Sequence, residues 1–209
     1  MKRSTVLNLR QIGITDFLNK NKIFLLMAIT FAVGCIAASF IYPENKKLQG
    51  IISDYFLNFL SHRIDKKFFN VFISSFLELA FYMLVIFLGG SSMFGVVLIP
   101  FIVLIRGLYY GGFSALLYSE FALKGVAFNA LVFIPPALIF TLCIFFAAKE
   151  SINFSLRLAR ISLSNSLPSN ISVEFKNYSG KYILFLFVSL ISALIDAGLS
   201  TSLMQFFNF

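Results

Sequence analysis

Five predominantly apolar runs divide this chain: Ile23–Tyr42, Phe68–Leu88, Met93–Leu117, Val126–Ala148 and Ile183–Phe207. Each has about the 20 or more residues that a helix needs to cross roughly 30 Å of hydrocarbon. In lipid only helices and closed barrels satisfy their own backbone polar groups. Five such runs within 209 residues leave room for little else, so the chain is expected to be an all-α membrane protein. The expected form is a single integral membrane domain over residues 1–209, a bundle of about five transmembrane helices. Composition agrees, because 59% of the residues are apolar and only 12% are charged, against about 45–50% and 25% in soluble domains. The Gly89-Gly90-Ser91-Ser92 turn makes spans two and three an antiparallel hairpin, and Tyr118–Gly125 is a second short connection.

The net charge of +8 is read through the positive-inside rule, with lipid and not nucleic acid as the expected partner. With the N-terminus inside, ten Lys and Arg fall in cytoplasmic segments (residues 2, 3, 10, 20, 22, 149, 157, 160, 176 and 181). Six fall outside (residues 46, 47, 63, 66, 67 and 124), and Arg106 lies within a span. The bias orients the chain with its N-terminus cytoplasmic in a multi-pass cell-membrane topology. Cys35 and Cys143 lie in apolar runs and are read as packing residues.

The first outer loop carries the cleanest helical periodicity. Leu48, Ile51, Ile52, Tyr55, Phe56, Phe59 and Leu60 share one face, opposite Gln49, Gly50, Ser53, Asp54, Asn58 and Ser61. This predicts an interfacial amphipathic helix, read either as an anchor bracing span two or as a docking surface for an extracytoplasmic partner. Ile12, Ile14, Phe17 and Leu18 suggest a short amphipathic segment before span one, and Ser162–Ser172, broken by Pro168, reads as a polar cytoplasmic loop.

Three ionisable residues fall inside spans: Glu78, Arg106 and Asp196. A charge at the bilayer centre costs at least about 2.5–3.5 kcal/mol and so requires a partner. Glu78 and Arg106 are equally distant from the turn near Ser92, which sets them at similar depth. The expectation is a Glu78–Arg106 contact, or a three-way cluster with Asp196. Gly107 and Gly111 form a GxxxG spacing that admits a close helix neighbour. Pro135 and Pro136 remove two backbone donors and are expected to kink span four near Leu131–Val132.

No P-loop, dinucleotide fingerprint, HExxH, CxxC or nucleophile elbow occurs, and the lone His62 lies in a loop. No catalytic residue, cofactor or metal is assigned, and the chain is not expected to be an enzyme.

In order and spacing, the marked residues resemble stage II sporulation protein M. The matches are the Asn19-Lys20-Asn21-Lys22 lead into span one, Arg106-Gly107 to Gly111 in span three, and the prolines of span four. Phe154-Ser155-Leu156-Arg157 and the run from Tyr182 through Asp196 to Met204 complete them. The resemblance implies a membrane scaffold of endospore formation, needed for septal peptidoglycan degradation and engulfment. It implies recruitment of wall hydrolases, stage II sporulation proteins P and D, to the septal or engulfing membrane. In that scaffold reading the docking surface is chiefly the amphipathic stretch Leu48–Lys67, with the C-terminal end near Phe209. The wider superfamily has Pro-His-Gly…Glu where this chain has Pro135-Pro136-Ala137, so activity resting on that His and Glu does not carry over. The alternative reading is a transport component such as an ABC-type permease subunit, which requires a substrate cavity reaching Arg106.

Overall fold

The computed structural model describes residues 21–63, 66–164 and 171–207. In chain order the elements are α1 (Lys22–Ile41), α2 (Lys46–Ser61), α3 (Phe68–Gly90) and α4 (Gly95–Phe128). A π-helical turn at Asn129–Phe133, α5 (Ile134–Ser164), α6 (Ile171–Leu203) and a final 3-10 turn at Met204–Phe206 follow. No strand occurs among the described residues, and the fold is an all-α membrane bundle. The segment at residues 12–18, Pro168 and Phe209 lie outside the described residues.

Four helical stretches are long and apolar enough to cross a bilayer: Lys22–Ile41, Phe68–Gly90, Gly95–Leu163 and Ile171–Leu203. The third has 69 residues, which as a straight helix would run about 100 Å. It instead reverses at Ala122, whose φ of 45° and ψ of −124° lie far from the helical region. Contacts are arranged symmetrically about that point. Phe113 stacks on Phe133 with centroids 4.3 Å apart, and Asn129 Nδ2 donates to Ser114 Oγ at 3.1 Å and Tyr118 Oη at 2.6 Å. The two arms are therefore antiparallel. The reversal is tight enough that a Cβ on Gly125 would overlap the Leu117 carbonyl. A non-glycine residue in such a conformation stores about 1–3 kcal/mol, held here by the packing of both arms.

The spacing of Arg157 and Arg160 suggests a helix extension past span four, which is present, whereas the early start of the last helix differs from the sequence expectation. α5 continues to Ser164, and α6 begins at Ile171, twelve residues before the apolar run that marks its span. Charged residues carry both helices past the hydrocarbon length, where Arg157 pairs with Glu174 at 2.8 Å and Lys181 with Glu150 at 2.7 Å. Of the expected polar loop, residues 162–164 and 171–172 are helical, and 165–170 lie outside the described residues.

The expected proline kink takes the form of the π-helical turn, directly ahead of Pro135 and Pro136. A wider turn accommodates the missing backbone donors and the proline rings.

α1 and α4 run parallel and close together along the GxxxG face. A methyl on Gly34 would sit 2.6 Å from the Leu104 oxygen and 3.1 Å from Gly107 Cα, and one on Gly111 would overlap the Cys35 backbone. Small residues let the two backbones touch, which is the means by which helices gain dispersion contacts in lipid.

Two apolar clusters result. One gathers Met27, Met83, Ile86, Ile99, Val103 and Ile144 between α1, α3, α4 and α5. The other gathers Ile52, Phe56, Phe59, Phe113, Phe128 and Met204 around α2 and the Ala122 reversal.

Candidate functional site: a layer of paired charges

Between the two clusters lies a polar layer, and its members arrive on helical stripes. On α3 the buried positions Val71, Ser75, Leu79, Met83 and Ile86 recur every three to four residues, with Glu78 beside them. Ser192, Asp196 and Ser200 mark the matching stripe on α6, and Arg106 lies on the buried face of α4 with Ile99 and Val103.

Glu78 and Arg106 meet, Arg106 Nη1 lying 3.0 Å from Glu78 Oε1. Arg106 Nη2 also donates to Tyr110 Oη at 3.2 Å, and Tyr55 Oη donates to the same Glu78 oxygen at 3.0 Å. The guanidinium carbon lies 4.4, 4.9 and 5.5 Å from the ring centroids of Tyr82, Tyr110 and Phe140. A desolvated cation–π contact is worth about 2 kcal/mol or more, so the cage replaces part of the hydration that Arg106 loses. Its Nε, buried without a hydrogen-bond acceptor, is accordingly enclosed by rings. Burial first, then the adjacent Glu78 carboxylate, push the Tyr55 phenol above its usual range, which keeps it a donor.

Asp196 belongs to a different pair. Its partner is Arg63, with Nη2 2.5 Å from Asp196 Oδ2, and not Arg106. Ser75 Oγ donates to the same oxygen and accepts from Arg63 Nη2 at 3.0 Å, while Ser200 donates to Oδ1 at 3.3 Å. Arg63 Nη1 reaches the Phe59 carbonyl at 3.3 Å, and the guanidinium stacks 3.6 Å from the Phe59 ring centroid. The three-way cluster is thus corrected to two ion pairs, all four residues of which border one cavity of about 40 Å³. Arg63, counted by sequence among the outer basic residues, is 6% exposed at its side chain. One signal marks it: it stands four residues after Phe59 and so continues the apolar face of α2.

That face is itself covered by the protein. Ile52, Phe56, Phe59 and Leu60 are buried, Ile52 against Gly112 and the aromatics against Phe113, Phe121, Phe128 and Phe133. Leu48 and Tyr55 are partly buried, and Ile51 points outward. Asn45 caps the helix, accepting from Lys47 N at 3.0 Å and Leu48 N at 3.1 Å. The apolar side expected to meet lipid or a partner instead fills the second core, leaving Gly50, Ile51, Asp54, Leu57 and Asn58 exposed.

A family model described as stage II sporulation protein M matches residues 23–201. The chain belongs to the stage II sporulation protein M family. The match runs from the start of α1 nearly to the end of α6 and includes both ion pairs, the GxxxG face and the prolines. It makes this a sporulation-family membrane protein, with the layer of paired charges inside the family's own segment. No curated protein and no solved structure matches the chain significantly.

Proposed function

We propose that this chain is a non-enzymatic integral membrane scaffold of endospore formation. In this reading the N-terminus is cytoplasmic and the α2 end faces the wall. There the chain gathers a peptidoglycan hydrolase complex, stage II sporulation proteins P and D, at the septal or engulfing membrane. The wall chemistry belongs to those partners.

The observation that carries the reading is the self-paired polar layer: Glu78, Arg106, Arg63 and Asp196 each have an opposite charge from the same chain. The cavity they border, about 40 Å³, has room for a few water molecules. A permease with its substrate at Arg106 asks for a solute-sized space at that point. Family membership supplies the sporulation context.

The test is affinity capture of the tagged chain from sporulating cells in mild detergent, with mass spectrometry of what is retained. Recovery of a wall hydrolase, reduced at least tenfold by the exposed-face double variant Ile51→Glu with Leu57→Glu at unchanged membrane level, is the expected result. A chain that retains no hydrolase there, and none when both are reconstituted in nanodiscs, is not the scaffold described.

A further inference from the structure

The two ion pairs differ in how far they are enclosed. At Arg63–Asp196 both side chains are nearly sealed, 6% and 10% exposed, and Arg106 is 7% exposed, but the Glu78 side chain is 37% exposed. Glu78 stands ten residues from the start of α3 and twelve from its end, about 15 and 18 Å at 1.5 Å per residue. That is mid-bilayer, beyond the reach of a glutamate to either surface.

Oε1 takes both the Arg106 and Tyr55 hydrogen bonds, and among the described residues none is made to Oε2. Beside it runs the outward stripe of α3, with Leu77 62% and Phe81 64% exposed. Glu78 thus stands at the edge between the cavity of about 40 Å³ and the outward stripe, and a carboxylate oxygen on that edge has lost the hydration of bulk water while hydrocarbon donates nothing to it.

We propose that the exposed α3 stripe of Leu77 and Phe81, with Glu78 at its edge, is an intramembrane interface for a transmembrane helix of another protein. That helix presents a hydrogen-bond donor, a Ser, Thr, Asn, Gln, Tyr or Lys side chain, at mid-bilayer to Glu78 Oε2. Charge complementarity selects this occupant. A second copy docked through the same face would set one Glu78 carboxylate against another, and like charges in low dielectric repel. Leu77 and Phe81 supply the apolar packing on either side, and the donor sets depth and register.

The inference rests on the scaffold reading in taking the partner to be membrane-anchored, and it adds a contact on α3, within the bilayer, to the one on the exposed α2 face. The test places a photo-crosslinking amino acid at Leu77 or Phe81, with Val97 and Phe101 on the exposed side of α4 as controls, in sporulating cells. The expected result is an adduct at Leu77 and Phe81 but not at the controls. The crosslinked peptide should map to the middle of a partner's apolar span and contain one of those donors. In the double variant Glu78→Leu with Arg106→Leu, which removes both charges together, the adduct should fall at least tenfold at equal protein level.

Adducts to lipid alone, to a second copy, or to a span without a donor would overturn the proposal, as would adducts that persist in the double variant. A second measurement guards against a water-filled crevice. Phe81→Cys, in a chain with Cys35 and Cys143 replaced by alanine, should resist a membrane-impermeant thiol reagent, and rapid labelling would count against the interface. Hydrolase capture without the α3 adduct would remove this inference and leave the scaffold standing.

Discussion

Arg106 and Arg63 reach the same layer by opposite routes, and the contrast explains what a membrane bundle does with charge. Arg106 lies within an apolar run and enters the bilayer with its own helix, so its partner sits in the neighbouring hairpin arm and three rings surround it. Arg63 lies beyond the end of an amphipathic helix and enters only because α2 folds down onto α4. The first pair belongs to the assembly of spans; the second fastens a peripheral element onto spans already assembled.

The largest expected effect comes from breaking the first pair alone. Arg106→Leu leaves the Glu78 carboxylate uncompensated at mid-bilayer, and removing one member of a buried pair costs about 3–5 kcal/mol. Thermal unfolding in detergent should show the loss, and adding Glu78→Leu should restore more than half of it. If the double variant is no more stable than the single one, the pair is not the unit described.

Next in size is Arg63→Leu, expected to cost about 3 kcal/mol, the lower end of the same range, because α2 can lift away and let water reach Asp196 while the spans stay in place. The loss should appear as α2 detaching: a cysteine at Ile52, buried in the native chain, should become reactive to a soluble thiol reagent at an unchanged membrane level. Equal reactivity with and without Arg63 would erase the distinction between the two arginines.

How legible this was in the sequence follows the same division. Glu78–Arg106 could be read because a charge inside an apolar run demands a partner and the Gly89–Ser92 turn fixes relative depth. Gly107 and Gly111 were equally readable, since small residues four apart lie on one side of a helix. Arg63 was hidden by its company: His62, Lys66 and Lys67 make the segment look like a solvated cluster, and hydropathy averages over the one residue that turns inward. The extension of α5 was readable from Arg157 and Arg160, but that of α6 was hidden for a related reason. Glu174 and Lys181 lie ahead of the apolar run and read as polar connection, yet they sit on helix and pair with Arg157 and Glu150 of α5. The Ala122 reversal falls within the short Tyr118–Gly125 connection that the apolar runs mark out; its form, one non-helical alanine with Gly125 packed against the Leu117 carbonyl, has no such mark.

A smaller effect should follow from Tyr55→Phe, which removes one hydrogen bond to Glu78 while keeping the ring. A bond to a charged group contributes about 1.5–3 kcal/mol, and the Arg106 contact remains to hold the carboxylate. The expected destabilisation of about 1–2 kcal/mol should vanish in the Glu78→Leu, Arg106→Leu background, where there is no carboxylate to bond. An undiminished effect in that background would assign Tyr55 to packing alone.

The smallest effect, and the only gain, is Gly50→Ala. Nothing lies within 4 Å of a Cβ at that position, and replacing glycine by alanine inside a helix is worth about 0.5–1 kcal/mol. The gain should shift thermal unfolding upward and leave the reactivity at Ile52 unchanged. A loss would reveal a neighbour on the outer face of α2.

The charged layer also acts as a seam in the apolar interior. Met27, Met83, Ile86 and Ile99 lie on one side of it, and Ile52, Phe56, Phe113 and Phe128 on the other. Contiguous packed units open and close as wholes, so the half holding α2 can loosen while the far half stays shut. Amide exchange along α4 should record this directly: faster on the Phe113 side of Arg106 than on the Val103 side, with the guanidinium at the boundary.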